Sequence, residues 1–160
     1  MVYLLFAIAA LLFLVAVVGL FLPKERTFTR KAEFSSAVSK VYGVVSDVKN
    51  QADWREDVKE ILVLDQNTWT EVPRSGAKIT FREKRKIENE IFEIEIVQPQ
   101  SYQGYWVGIF RPTKQNGTYV EFKEVIQVSN PFFRTLAYLF VDLDKTMDLY
   151  LQNLKRKLGE

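Results

Sequence analysis

Hydrophobic and polar positions divide this chain at residue 22. Residues 1–22 carry no charge, and 21 of the 22 are apolar, the exception being Gly19. No face of the stretch is polar, which sets it apart from a helix lying on a soluble core. As a helix it extends roughly 30 Å at about 1.5 Å per residue, the thickness of a bilayer's hydrocarbon layer. Tyr3 stands at one end, where an aromatic ring suits the interface, and Pro23 stops the helix at the other. The alternative is a cleaved signal peptide, which calls for a basic residue ahead of a shorter apolar stretch and a small-x-small cleavage site. This run has no basic residue before it and closes on Leu20-Phe21-Leu22-Pro23. The expectation is a single-pass anchor over residues 1–23 and one domain over residues 24–160. Lys24, Arg26, Arg30 and Lys31 follow the span, with Glu25 and Glu33 interspersed. The positive-inside rule then places the domain in the cytoplasm.

Beyond the anchor the pattern changes period. Residues 25–34 read as a strand. Ser35 and Ser36 are N-cap candidates for a helix whose Val38, Val41, Tyr42 and Val45 recur at helical spacing. A second short helix is expected at 51–57, around Trp54. Strands follow at 58–64, 69–72, 78–87, 91–97, 102–110 and 118–128, with turns at Pro73–Gly76 and at Asn116-Gly117. Asn130-Pro131 then resembles an N-cap with proline at the first helical position. A single long helix is expected from there to Leu158. Phe132, Leu136, Leu139, Phe140, Leu143, Met147, Tyr150, Leu151 and Leu154 make its apolar stripe, and Lys155, Arg156 and Lys157 lie in its last turn.

This order predicts an α+β domain, a curved seven-stranded antiparallel sheet around a long C-terminal helix, preceded by one transmembrane helix. The apolar face of such a sheet has to be covered, and the last helix is the one element long enough to lie across it.

Composition removes whole classes of chemistry. The 42 charged residues all lie in residues 23–160. There is no Cys and no His, so disulfides, thiolate nucleophiles, zinc–cysteine clusters and Ser-His-Asp catalysis are excluded. Neither a P-loop nor a dinucleotide-binding glycine motif occurs, and no EF-hand spacing appears. Nothing indicates a cofactor. A net charge of +2 gives no reason to expect nucleic acid as a partner.

The element order resembles the START-like, or SRPBCC, superfamily, the helix-grip fold that includes polyketide cyclase/dehydrase-like and Bet v 1-like proteins. The resemblance spans roughly residues 24–158. It rests on Phe34 closing the first strand, Val41-Tyr42 where relatives often have Val-Trp, Asp47, Trp54, Gly76 before a long hairpin, and Gly117-Thr118-Tyr119-Val120-Glu121 opening the last strand. Tyr42 departs from the usual Trp, and the membrane segment is not part of the family pattern. The resemblance implies a cavity between sheet and helix for a hydrophobic small molecule, lipid or sterol; some such relatives are cyclases or hydrolases.

Strand alternation nominates the lining. Phe81, Glu83 and Arg85 share a face of their strand, as do Phe92 and Ile94 on the next. Trp106 and Phe110 share a face of the sixth strand, whose two faces are both apolar, and Phe122 and Glu124 share a face of the last. Leu143, Met147 and Tyr150 complete the set from the helix. Glu83, Arg85 and Glu124 would then be charges on an apolar surface, orienting a ligand or, at strand ends, reaching water. Gly104 and Gly108 would leave room beside Trp106 for a ligand, or bend the strand. The basic hairpin of Lys78, Arg82, Lys84, Arg85 and Lys86 either meets anionic head groups or is a solvated face balanced by glutamates. Three functions are open: a membrane-anchored binding module for a lipid or other hydrophobic molecule, a membrane-tethered scaffold for a protein partner, and a cyclase- or hydrolase-like enzyme using Glu83 or Glu124. The first is favoured, and no catalytic residue is assigned.

Overall fold

A computed structural model describes residues 2–160. The apolar segment is one helix, α1 (Val2–Phe21). Then come β1 (Glu25–Phe34), α2 (Val38–Ser46), a 3₁₀ turn (Val48–Asp53), β2 (Val58–Val63), β3 (Thr68–Pro73), β4 (Ile79–Ile87), β5 (Ile91–Gln98), β6 (Gln103–Pro112) and β7 (Thr118–Gln127). Two helices end the chain, α3 (Pro131–Phe140) and α4 (Leu143–Leu158). The strands form one antiparallel sheet in the order β1-β7-β6-β5-β4-β3-β2, so the first strand closes the sheet beside the last.

The sheet's concave face carries the core. Phe92, Phe122 and Val120 from the strands meet Val41 and Val45 of α2 and Leu154 of α4, each at most 1% exposed. Leu143, Met147, Leu154 and Leu158 are the buried stripe of α4. Arg30 on β1 ties the outer side of α4 to the sheet, pairing with Asp144 and Asp148 at 2.6 and 2.7 Å.

The expected single C-terminal helix is two. Val141 is extended (φ −112°, ψ 106°), and the Asp142 carboxylate accepts from the Lys145 amide at 3.1 Å, starting a fresh helix. A β-branched residue followed by an N-capping aspartate supplies the local reason. Tertiary packing supplies the other: α4 covers the sheet, while α3 turns away and packs against α1. Leu139 and Phe140, expected in the core stripe, are accordingly exposed.

The start of α2 also differs from the expectation. Ala37 is its N-cap, with no side-chain capping bond. The amides of Ser35 and Ser36 instead donate to the carboxylate of Glu160, at 2.7 and 2.9 Å.

Candidate ligand cavity

A cavity lies between the concave face of the sheet and α4. Its deep chamber, about 100 Å³, is walled by Trp69, Phe81, Phe92, Ile94 and Trp106 from four neighbouring strands and roofed by Thr146, Met147 and Tyr150 of α4. A wider outer chamber of about 510 Å³ shares Phe81, Thr146 and the polar residues Arg55, Glu71 and Glu124 with it. That chamber opens between the β3–β4 turn (Ser75, Gly76, Ala77), Ser101 and Tyr102 before β6, and the α3–α4 corner (Ala137, Val141, Leu143). Its volume falls within the usual range for small-molecule sites.

Of the twelve residues nominated from the sequence, eight line this space: Phe81, Phe92, Ile94, Trp106, Glu124, Leu143, Met147 and Tyr150. Phe110 and Phe122 stand behind the wall, at 2% and 1% exposure. The Phe122 ring packs 5.0 Å from Trp106 and 5.7 Å from Tyr150, between centroids. Glu83 shares the concave side with its partner Ile94 but sits away from the cavity and pairs with Lys86.

Arg85 is misplaced by simple alternation. A bulge between Glu83 and Arg85 advances β4 by one residue, so Arg85 pairs with outward Glu93, while Lys86 faces Phe92. A bulge puts two residues opposite one and reverses the faces of everything beyond it. Three of the five basic residues of the hairpin are paired with glutamates, Arg82 with Glu95, Lys84 with Glu93 and Lys86 with Glu83.

Register settles β6, whose two faces were both apolar in sequence. Trp106 lies opposite Ile94 and Glu124, so it points into the concavity. Gly108 serves the protein rather than a ligand. A Cβ there would stand 2.7 Å from the Trp106 ring and 3.0 Å from that of Phe110, so the missing side chain is what lets both rings lie flat across the strand.

The polar centre of the cavity was largely missed from sequence. Arg55, just after the 3₁₀ turn, grips Asp57 through two bonds (2.6 and 3.2 Å), Glu71 at 3.0 Å and the Gln51 amide oxygen at 2.8 Å. Its guanidinium also lies 5.3 Å from the centre of the Tyr150 ring. Asp57 and Glu71 more than balance the single positive charge, and Glu124 enters the same space as a further carboxyl. Burial raises the Glu124 carboxyl to about 7; Arg55 opposes the rise and Glu71 adds to it. Burial likewise pushes up the phenols of Tyr150 and Tyr102, Arg55 countering it at the first and Glu124 reinforcing it at the second. The indole N–H of Trp69, a wall residue only 3% exposed, has no hydrogen-bond partner. A buried donor left unmade costs about 1–3 kcal/mol. The arrangement therefore offers an apolar enclosure with a carboxyl poised between its neutral and charged forms. No group of His, Cys, Asp or Glu suited to a metal occurs among the described residues.

No protein-family model matches the sequence, and no curated protein matches it. Solved structures do. A START superfamily protein from Mycobacterium smegmatis superposes with a TM-score of 0.69 at 12% identity, over 83% of this chain and 97% of that one. An aromatase/cyclase from Streptomyces sp. R1128 gives 0.69 at 10% identity, over 83% and 93%. Norcoclaurine synthase from Thalictrum flavum, in complex with a transition-state analogue, gives 0.67 at 7% identity, over 82% and 92%. Sequence identity this low speaks to architecture alone, and the architecture is that of these structures: the chain carries the helix-grip fold of the START superfamily, with an apolar helix added at its N-terminus.

Proposed function

We propose that this protein is a membrane-anchored binding module that holds a lipid or other hydrophobic small molecule between its sheet and α4. One observation carries the reading: the cavity walled by Trp69, Phe81, Phe92, Ile94 and Trp106 ends in the polar centre of Arg55, Glu71 and Glu124. An apolar body with one polar group suits that space, the body held by the rings and the polar group by Glu124. The anchor is α1, twenty residues without a charge and long enough to cross a bilayer. Lys24, Arg26, Arg30 and Lys31 on its flank favour the cytoplasmic side for the domain. The test is native mass spectrometry and solvent extraction of the full chain released from membranes. A stoichiometric apolar ligand, lost when Met147→Trp fills the deep chamber, is the expected result. A protein that emerges empty and takes up no apolar probe overturns the proposal.

Glu124 favours a second reading, a cyclase-like enzyme. A carboxyl near 7 is matched to proton transfer at neutral pH, and two of the structural neighbours are named as enzymes, an aromatase/cyclase and a synthase. Glu124→Gln tests that role: retained binding with lost turnover of a bound molecule establishes Glu124 as the catalytic group, unchanged turnover removes Glu124 from that role, and a bound molecule that the unsubstituted protein never turns over removes the reading.

A further inference from the structure

The corner at Val141 leaves α3 outside the grip of the sheet, and its fixed partner is α1. The Thr135 hydroxyl donates to the carbonyl of Val15 at 2.8 Å. Arg134, 2% exposed, spends its guanidinium on four backbone carbonyls: Gly19 (2.8 Å), Leu22 (3.1 Å), Val128 (2.9 Å) and Ser129 (2.8 Å). Two of these belong to the C-terminal end of α1, where unpaired carbonyls and the helix dipole attract a cation. Gly19 makes the approach possible, since any Cβ there would overlap the Pro131 carbonyl.

This contact sets a depth. Val15 lies seven residues before Leu22, about 10 Å further along the helix axis. A helix bonded at Val15 thus lies within about 10 Å of the end of α1, the depth at which amphipathic helices rest in a membrane surface. The side of α3 turned from α1 is correspondingly bare: Phe133 is 52% exposed, Leu139 68% and Phe140 79%. Beyond α1, half of the exposed large apolar residues belong to α3 and Val141. Both ends of α3 are polar, Asn130 at one and the Asp142–Lys145 pair at the other, so the helix dips without crossing. It also edges the outer chamber through Phe133, Ala137 and Val141.

We propose that α3 lies in the surface of the bilayer that α1 crosses and forms the membrane-side rim of the cavity, so that the ligand is a lipid or lipid-like molecule entering directly from the leaflet. This rests on the anchored-binding reading above and adds to it the source of the ligand and its route.

The chain has no cysteine, so single cysteines can report position without background. We would spin-label the full chain at Leu139, Phe140, Leu11 and Lys114 in nanodiscs of phosphatidylcholine and phosphatidylglycerol. Relaxation by oxygen and by a water-soluble nickel chelate gives the depth of each label. The expected result is lipid exposure at Leu11, a shallow lipid position at Leu139 and Phe140, and water at Lys114. Adding Gly19→Leu should move the Leu139 and Phe140 labels into water while Leu11 stays in lipid. Leu139 and Phe140 in water with Leu11 in lipid overturns this inference and leaves the anchor standing. Leu11 in water removes the anchor and this inference together. Ligand extraction, run separately, judges the cavity alone, so the three failures are distinguishable.

Discussion

Arg55 and Glu71 meet at 3.0 Å inside the cavity between sheet and α4, with 11% and 14% of their side chains exposed. Pairs this enclosed are costly to break one partner at a time, because the survivor keeps its charge without its counterion. Arg55→Leu would leave Asp57 and Glu71 facing Glu124 with no cation between them. The expected loss is about 3–5 kcal/mol. Arg55→Leu combined with Glu71→Leu should recover part of it, since of the two carboxylates paired with Arg55 only Asp57, the more exposed, then lacks its cation. Denaturant unfolding of the single and double variants measures both.

Glu124 makes stability depend on pH. Its carboxyl titrates near 7 in the folded protein, against about 4.3 in an unfolded chain. Between those values the folded state holds a proton that the unfolded state has released. Folding is therefore favoured at low pH and loses ground as pH rises from about 4.3 toward 7, by about 4 kcal/mol in all. Glu124→Gln should flatten this dependence and be the more stable protein at pH 8. A wild-type melting temperature unchanged between pH 5 and 8, or a Gln variant that keeps the same slope, removes the assignment.

Phe122 supports the cavity wall from behind, and its loss should be structural. Phe122→Ala opens a void beneath Trp106 and Tyr150 and is expected to cost about 3–5 kcal/mol. Met147→Trp, placed in the roof of the deep chamber, should instead keep the fold and displace ligand. Far-ultraviolet circular dichroism with ligand recovery separates the two effects.

Glu160 fastens the start of α2. Its slight burial works against ionisation, yet the amides of Ser35 and Ser36 hold its carboxyl below the usual range. That support is present above the ordinary glutamate pKa and is lost as pH falls through the lowered value. Glu160→Ala should raise hydrogen exchange at Ser35 and Ser36 while leaving β5 and β6 protected. Unchanged exchange at those two amides would show that the contact contributes nothing in solution.

Much of the fold was legible because period and turn chemistry agreed. Residues 25–34 were expected as a strand and form β1 over the same span. The limits came where local pattern has no information. Two apolar faces on β6 left its direction open until cross-strand register placed Trp106 opposite Glu124. A bulge is a single inserted residue with no sequence mark, and it moved Arg85 outward. Glu71 was within reach of sequence reasoning, since it shares a strand face with Trp69, two residues earlier, and is a carboxylate on an apolar side. Arg55 was not: it follows a 3₁₀ turn, where no alternation applies, and only tertiary contact gives it Glu71 and Tyr150. The helix break escaped notice because α3 and α4 continue one apolar period while facing different partners.

The bonding of Arg134 has a mechanical consequence. Its four acceptors come from the end of α1 and from the segment after β7, so no free swivel joins stalk to cup. Any rotation of the stalk about its long axis carries the cup with it, and the compass bearing of the cup's opening is fixed relative to one particular side of that stalk.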